Sequence, residues 1–320
     1  MVARAKLTLS LRVLGRRPDG YHELEALVVS LREPHDVVGL RIQPPFGVRV
    51  RLSGRAVIGV PADDTNLAAR AARLLLEVAA DGEDPGPWAA SGLDISLHKS
   101  IPAGSGLGGG SADAAGTLVG GARLLGLDLD AATLAALAVR LGSDVPFCVT
   151  GGIAWMRGRG EIIEPLPPPP GPWAGTPWPG ETQPEETQPA GLSLVVAVPP
   201  FGLATPTVYR AWDELGGPSS TRPVPRPEGL AGLGLPDELV NDLEPAAEHV
   251  EPRLRPFREA LERLAGGPAL LGGSGSAYVV SVASGAEAAV LATQAGVELR
   301  AMAFATGLAA RGVEAQRSPD

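Results

Sequence analysis

The fold class of this chain can be inferred from residues 102–111, which read PAGSGLGGGS. Five of the seven residues at positions 104–110 are glycine, so the backbone can adopt positive φ and approach a ligand closely. The residues at 112–125 predict a helix directly after the glycines. Because free N–H groups and the dipole at a helix N-terminus attract anions, residues 102–111 predict a phosphate-binding loop. We call them the phosphate loop.

Three other interpretations of the glycine pattern fit less well. A Gly-x-Gly-x-x-Gly pattern from Gly104 matches the dinucleotide fingerprint, with Asp128 or Asp130 about 20 residues further on. That acid should end a second parallel strand, but here it lies between two predicted helices, where Asp130 suits an N-cap. A Walker loop ends in Gly-Lys-Ser/Thr, and this loop has no lysine. A flexible surface loop explains neither Leu107 among the glycines nor the helix that follows.

The first half of the chain predicts strands and helices in mixed order. Alternating apolar and polar residues at 5–13 predict a strand. The turn signal RPDG at 17–20 and the apolar run at 27–31 then predict a hairpin. Helical patterns follow at 66–80 and 131–141. We therefore expect a mixed α/β fold with antiparallel character.

Composition divides the chain into three parts. Residues 165–190 contain ten prolines and a repeated ETQP. Such a segment cannot bury a core, which predicts a loop or a semi-rigid linker. Strand and helix patterns resume at residue 192. We expect an N-terminal domain at 1–162, a proline-rich linker at 163–190 and a C-terminal domain at 191–320.

Composition and charge also exclude functional classes. The 320 residues are 44% hydrophobic, enough for two cores, and the net charge is −9. An acidic chain lacks the basic surface that nucleic acids require. No apolar run is long enough to predict a membrane span, and the N-terminal residues do not predict a signal peptide. Cys148 is the single cysteine, so no disulfide is expected within the chain and we expect a cytoplasmic protein.

Lysine is rare in this chain, which has 25 arginines but only Lys6 and Lys99. Lysine carries a compact point charge, whereas arginine presents a planar fork. A lysine in such a composition therefore suggests a position that arginine does not suit.

Further motifs flank the phosphate loop in the sequence. They are AKLTLSL at 5–11, GRRPDGYHEL at 15–24, GSDVPF at 142–147, NDLE at 241–244 and LGGSGSA at 271–277. Taken singly, each also has a structural interpretation. Tyr21 and His22 fit an ordinary hairpin with a packed ring and a surface imidazole. Asp144 fits a helix cap before a proline.

Together, these motifs resemble those of the GHMP kinases, a superfamily of small-molecule kinases. Residues 102–115 are similar to the superfamily's phosphate loop, residues 5–11 to its first motif and residues 271–277 to its third. The Tyr-His segment and NDLE at 241–244 resemble the branch that acts on a cytidine-diphosphate-linked methylerythritol. The resemblance covers most of the chain outside the proline-rich linker.

The resemblance implies a two-domain fold, with an N-terminal domain like the second domain of ribosomal protein S5 and a ferredoxin-like C-terminal domain. The active site would lie in the cleft between them. It implies ATP and Mg²⁺ as cofactors. It also implies transfer of the γ-phosphoryl group to the 2-hydroxyl of the cytidine-linked small molecule, in non-mevalonate synthesis of isoprenoid precursors.

The resemblance also assigns site residues. Asp144 would be the catalytic base with Lys6 beside it, in a reaction where the protein mainly positions groups and neutralises charge. The expected ATP-binding residues are Pro102, Gly104, Ser105, Gly106, Leu107, Gly108, Gly109, Gly110 and Ser111. The expected substrate-binding residues are Thr8, Tyr21, His22 and Phe201, since an aromatic face can stack on cytosine and histidine can bind its edge. The third glycine motif, Gly273, Ser274 and Gly275, would lie near the phosphate loop.

Two positions depart from the branch. Thr8 and Asp113 stand where it usually has asparagine. These departures and the proline-rich linker leave two alternatives, a GHMP kinase for a different alcohol and a non-catalytic paralogue that binds nucleotide or a partner. The Tyr-His pair favours the cytidine-linked substrate over another alcohol.

Overall fold

The structure, a computed structural model, describes residues 1–43, 47–81, 92–166, 192–217 and 239–316. Within these ranges the chain forms helices packed against two β-sheets. The helices are α1 Leu67–Asp81, α2 Gly109–Leu125, α3 Ala131–Leu141, α4 Val145–Thr150, α5 Thr205–Glu214, α6 Glu244–Val250, α7 Leu254–Ala265 and α8 Gly285–Glu298. The strands are β1 Val2–Arg16, β2 His22–Gln43, β3 Val48–Ser53, β4 Gly92–His98, β5 Ile153–Gly158, β6 Ile162–Leu166, β7 Ser193–Val198, β8 Leu270–Leu271, β9 Tyr278–Val282, β10 Met302–Thr306, β11 Leu308–Ala309 and β12 Val313–Glu314. Every helix described is too short or too polar to cross a membrane.

The larger sheet is built on the N-terminal hairpin. In the described ranges it has eight strands, with the order β12-β1-β2-β4-β3, while β5 and β11 also pair with β2 and β6 pairs with β5. The predicted hairpin is confirmed, because β1 and β2 are antiparallel with Lys6 opposite Ser30. Helix α2 packs on both strands. The loop before α2 therefore lies close to β1.

The smaller sheet has four antiparallel strands in the order β10-β7-β9-β8 within the described residues. Helix α8 packs against β7 and β10. Two apolar cores join the sheets: Leu9 and Val196 share one, and Val13 and Val195 share the other. The mixed α/β fold expected from the sequence is confirmed.

The polar face of β1 is buried rather than exposed to solvent. The exposed fractions of Lys6, Thr8 and Ser10 are 9%, 3% and 1%. Two segments cover this face. The Lys6 amide donates to the Leu107 carbonyl of the phosphate loop at 3.0 Å, and the Ser10 hydroxyl donates to the Val240 carbonyl at 3.1 Å. A polar strand face buried in this way is suited to forming a site.

Two features of the structure differ from the domain division expected from the sequence. Strand β6 includes residues 163–166, the start of the predicted linker, while residues 167–190 lie outside the described ranges. Strands β11 and β12 lie within the predicted C-terminal domain in sequence but pair with β2 and β1 of the larger sheet. The boundaries at 162 and 191 therefore stay a prediction.

Candidate active site

The phosphate loop folds over β1 and leads directly into α2. Gly104, Gly106 and Gly108 have φ of 69°, 83° and 70°, the left-handed region that favours glycine. The Leu107 side chain is fully buried in the core and anchors the loop between these glycines. The leucine among the glycines is thereby explained. Leu107 therefore anchors the loop to the core, and the glycines on either side of it provide the left-handed backbone.

Lys6 and Asp144 meet beside this loop. Lys6 Nζ lies 3.3 Å from Asp144 Oδ2, and also 3.3 Å from the Thr8 hydroxyl. Asp144 precedes helix α4, but its side chain makes no capping hydrogen bond. The side chain is 32% exposed. The carboxylate is therefore not used as a helix cap and can reach a ligand in the cleft.

The third glycine motif packs against Lys6 and the neighbouring Thr8. A Cβ atom added at Gly273 would lie 3.3 Å from the Thr8 hydroxyl and 3.5 Å from Lys6 Nζ. A Cβ atom added at Gly106 would lie 2.4 Å from the Gly272 carbonyl oxygen. The Ala277 amide donates to the Ser105 carbonyl at 2.9 Å. The two glycine-rich segments therefore touch, with Lys6 against both.

A second group of side chains surrounds His22. Its ring stacks on Tyr209 with centroids 4.8 Å apart, and its Nε2 lies 2.9 Å from Asp213 Oδ1. Tyr21 is 56% exposed, and the Arg159 guanidinium lies 4.8 Å from its ring centre. Tyr21 and Tyr209 are flat aromatic groups next to a polar imidazole, an arrangement that suits a heterocyclic base.

One cavity of about 950 Å³ connects the two groups. It reaches from the phosphate loop past Lys6 and Asp144 to Tyr21 and Tyr209. Its lining also includes Val60 and Leu67, together with Thr65 and Asn66. The volume is within the range of small-molecule sites.

Most of the residues predicted for the site line this cavity. They are Lys6, Thr8, Tyr21, His22, Pro102, Gly104, Ser105, Gly106, Gly108, Gly109, Gly110, Ser111, Asp144, Gly273 and Ser274. Leu107, Phe201 and Gly275 do not line it. Leu107 is buried in the core, and Gly275 packs near Leu271 and Leu203. Phe201 lies under the Arg253 guanidinium, 4.2 Å from its ring centre, so a stacking role for Phe201 stays a prediction without support from this geometry.

Sequence reasoning missed Tyr209, Asp213 and Arg159, which also line the cavity. No local pattern distinguishes Tyr209 and Asp213 from other polar residues on an amphipathic helix. They lie on α5, which packs beside the hairpin through the contacts with His22. The His22–Asp213 contact joins residues almost 200 positions apart, so no local sequence pattern indicates it.

The comparison with protein families matches residues 66–152 to the GHMP kinases N terminal domain. This range includes the phosphate loop and Asp144. The 4-diphosphocytidyl-2-C-methyl-D-erythritol kinase of Heliobacterium modesticaldum is 35% identical over 309 residues, covering 90% of this chain and 87% of the relative. That of Moorella thermoacetica is 35% identical over 298 residues, covering 91% and 93%.

Solved structures agree with these relatives. A crystal structure of 4-(cytidine 5'-diphospho)-2C-methyl-D-erythritol kinase has a TM-score of 0.71 and 33% identity, covering 96% of this chain and 98% of that one. L. major mevalonate kinase in complex with R-mevalonate has a TM-score of 0.66 and 17% identity, covering 96% and 94%. The second similarity shows the fold alone.

Proposed function

This chain belongs to the GHMP kinases and, within them, to the 4-diphosphocytidyl-2-C-methyl-D-erythritol kinase family, and from that membership we propose that it phosphorylates the 2-hydroxyl of 4-diphosphocytidyl-2-C-methyl-D-erythritol. The phosphoryl donor is ATP. The step belongs to non-mevalonate synthesis of isoprenoid precursors. The alternatives of a different alcohol and of a non-catalytic paralogue are less well supported by the relatives.

The observation that carries the proposal is the contact between Lys6 and Asp144 beside the phosphate loop. Asp144 would accept the proton of the substrate hydroxyl. The hydroxyl oxygen then forms a bond to the γ-phosphorus as the bond to the β-γ bridging oxygen breaks, and ADP leaves. Lys6, 3.3 Å from Asp144, would balance negative charge on the transferred group. The glycine backbone and the start of α2 would hold the phosphates.

Threonine at position 8, where the branch usually has asparagine, is compatible with a catalytic role for Lys6. Its hydroxyl contacts Lys6 Nζ at 3.3 Å. Asparagine at this position would offer an amide oxygen to the same ammonium. Thr8 therefore keeps a polar partner for Lys6.

The aromatic group around His22 is the proposed cytosine site. An exposed Tyr21 and the neighbouring Tyr209 offer ring faces for stacking, and the His22 imidazole is held in place by Asp213. Val60 and Leu67, which line the same cavity, offer apolar contacts for adenine. Lys6 and Asp144 lie at the part of the cavity where the two substrates would meet.

Mg²⁺ is part of the proposal. Among the described residues, no group of three or more histidine, cysteine, aspartate or glutamate side chains could hold a metal ion. Mg²⁺ is commonly bound by one or two carboxylates together with substrate phosphates and waters. The ATP phosphates at the phosphate loop would supply ligands of this kind, while Asp144 stays the proposed proton acceptor. Bound there, Mg²⁺ would neutralise phosphate charge. We also propose a cytoplasmic location.

The test is ADP release from ATP and Mg²⁺ with the cytidine-linked substrate, for the wild type and Asp144→Asn. Loss of a general base lowers kcat by about 100- to 10,000-fold, and we expect a loss in this range with ATP still bound. The matched control is Asp128→Asn, an exposed carboxylate outside the cavity lining. Full turnover by Asp144→Asn would exclude it as the base. A wild type that binds ATP but does not turn over this substrate would contradict the substrate assignment.

A further inference from the structure

The chain from Val240 to Asp242 lies along β1, the strand that carries Lys6. The Leu11 amide donates to the Val240 carbonyl at 2.8 Å, and the Asp242 amide donates to the Leu11 carbonyl at 3.0 Å. The Ser10 hydroxyl donates to the Val240 carbonyl at 3.1 Å. This short segment is thereby fixed to β1 by backbone and side-chain hydrogen bonds.

The Asn241 side chain joins that segment to the third glycine motif. Its Nδ2 donates to the Leu271 carbonyl at 2.8 Å and to the Gly273 carbonyl at 2.7 Å, and its Oδ1 accepts from the Leu243 amide at 3.0 Å. The residue is 8% exposed. Both donors of the amide are therefore used on the glycine turn, and the acceptor is used at the start of α6.

The turn that Asn241 holds is in contact with the reacting part of the site. The Gly272 carbonyl packs against Gly106 of the phosphate loop, with no space for a Cβ atom there. Gly273 packs against Thr8 and Lys6. Displacement of the turn would therefore move the phosphate loop and the Lys6 ammonium relative to each other.

We propose that Asn241 is a positioning residue that acts on phosphoryl transfer through the turn at 271–273. It is outside the lining of the cavity, so it acts without touching a substrate. Its amide ties β1, with Lys6 and Thr8, to the turn that supports the phosphate loop. Aspartate has nearly the same shape but no donor, so it would face two carbonyl oxygens with negative charge. This inference rests on the proposed function for its kinetic consequence.

The kinetic test compares Asn241→Asp and Asn241→Ala with the wild type. A misplacement of about 1 Å in an active site can cost about 100-fold in rate, so we expect kcat to fall by about 10- to 100-fold. Because Asn241 lies outside the lining of the cavity, the KM for the alcohol should change by less than about 3-fold. The KM for ATP should rise, because the turn packs against the phosphate loop. Asn241→Asp keeps the acceptor for Leu243, so equal losses in both variants would assign the effect to the two donors. Unchanged kcat in Asn241→Asp would overturn the proposal.

The matched control is Ser10→Ala, which removes a buried side-chain contact of the same segment to β1 but leaves the glycine turn untouched. We expect it to lower stability while kcat stays near the wild-type value. Equal kcat losses in Ser10→Ala and Asn241→Asp would reduce Asn241 to a general structural role and overturn the proposal.

A second readout is independent of turnover. In amide NMR spectra of the free protein, Asn241→Asp should shift the resonances of Lys6, Gly106 and Gly273, whereas Ser10→Ala should leave Gly106 unchanged. Unshifted resonances in Asn241→Asp would overturn the proposal. A wild type without turnover would contradict the proposed function, and the spectra would still decide whether Asn241 positions the turn.

Discussion

At the scale of single residues, a buried charge cluster surrounds Lys99. Lys99 is 2% exposed and contacts the carboxylates of Asp36 and Asp113. Asp36 Oδ1 also accepts from the Ser100 and Ile101 amides, at 2.6 and 2.9 Å. Buried charges are tolerated when they are paired and hydrogen-bonded. The cluster therefore ties β2, the approach to the phosphate loop and helix α2 together.

The cluster holds two carboxylates but only one ammonium group, and the pKa of one carboxylate, Asp113, is raised. Burial raises the pKa of Asp113 to about 8, with the Asp36 charge adding to this rise and Lys99 opposing it. The folded protein therefore binds a proton that the unfolded chain releases, between about pH 4 and about pH 8. In that window, the contribution of Asp113 to stability decreases as the pH rises.

Asp113→Asn should remove this pH dependence. We expect its free energy of unfolding to rise relative to the wild type as the pH is raised from about 4 to about 8, by at most about 1.4 kcal/mol per pH unit for one proton. Denaturant titrations at several pH values measure the difference. Asp128→Asn, which changes an exposed carboxylate, is the control. If the free energies of unfolding of Asp113→Asn and the wild type changed equally with pH, Asp113 would ionise normally and this prediction would be wrong.

At the scale of elements, the phosphate loop has glycine for two different reasons. Gly104, Gly106 and Gly108 all have positive φ, which costs other residues about 1–2 kcal/mol each. Gly106 also packs against the Gly272 carbonyl, where a Cβ atom would lie only 2.4 Å from the oxygen. Conformation and close contact therefore act together at Gly106. The loop and the glycine turn form one unit.

Gly106→Ala should damage ATP binding beyond its effect on stability. We expect the KM for ATP to rise at least about 10-fold, equivalent to about 1.4 kcal/mol, because the methyl group pushes the loop away from the turn. Gly126→Ala is a matched control, since Gly126 has φ of 69° at the end of α2 but no atom within 4 Å of a Cβ position. Both variants should lose stability, measured by thermal unfolding, but only Gly106→Ala should lose affinity. Normal ATP affinity in Gly106→Ala would contradict the packed arrangement.

At the scale of the whole molecule, the last two described strands pair with the first two strands. Strand β12 pairs with β1, so that Ala3 lies opposite Val313, and the Arg4 guanidinium contacts the Glu314 carboxylate. Strand β11 pairs with β2, with Leu308 opposite Leu31. Both apolar cores contain residues of both sheets. The described parts of the two sheets are therefore coupled, and the cleft that they form should unfold with them.

A chain that ends at Gly307 should lose much of this coupling. Its truncation removes three buried apolar side chains, those of Leu308, Ala309 and Val313. At about 1–3 kcal/mol for each buried aliphatic side chain, we expect the free energy of unfolding to fall by at least about 3 kcal/mol. Denaturant unfolding measures this change, and a chain that ends at Gln316 and keeps both strands is the control. Equal stability of the two truncated chains would show that the returning strands add little.

The sequence by itself determined the features whose causes are local. The phosphate loop, the hairpin and the cap at Asp130 depend on glycine conformation, alternation and turn chemistry within short stretches, and these patterns predicted a mixed α/β fold with a phosphate loop. The resemblance of the short motifs to the GHMP kinases assigned the site residues, most of which line the cavity. The tertiary structure alone decided which distant groups meet. It brought Tyr209 to His22, Asn241 to the glycine turn and β12 to β1, and it left Phe201 outside the cavity. Periodicity along a chain reports which face of an element is buried. It carries no information about which distant element packs there, because that choice depends on the packing of the whole chain.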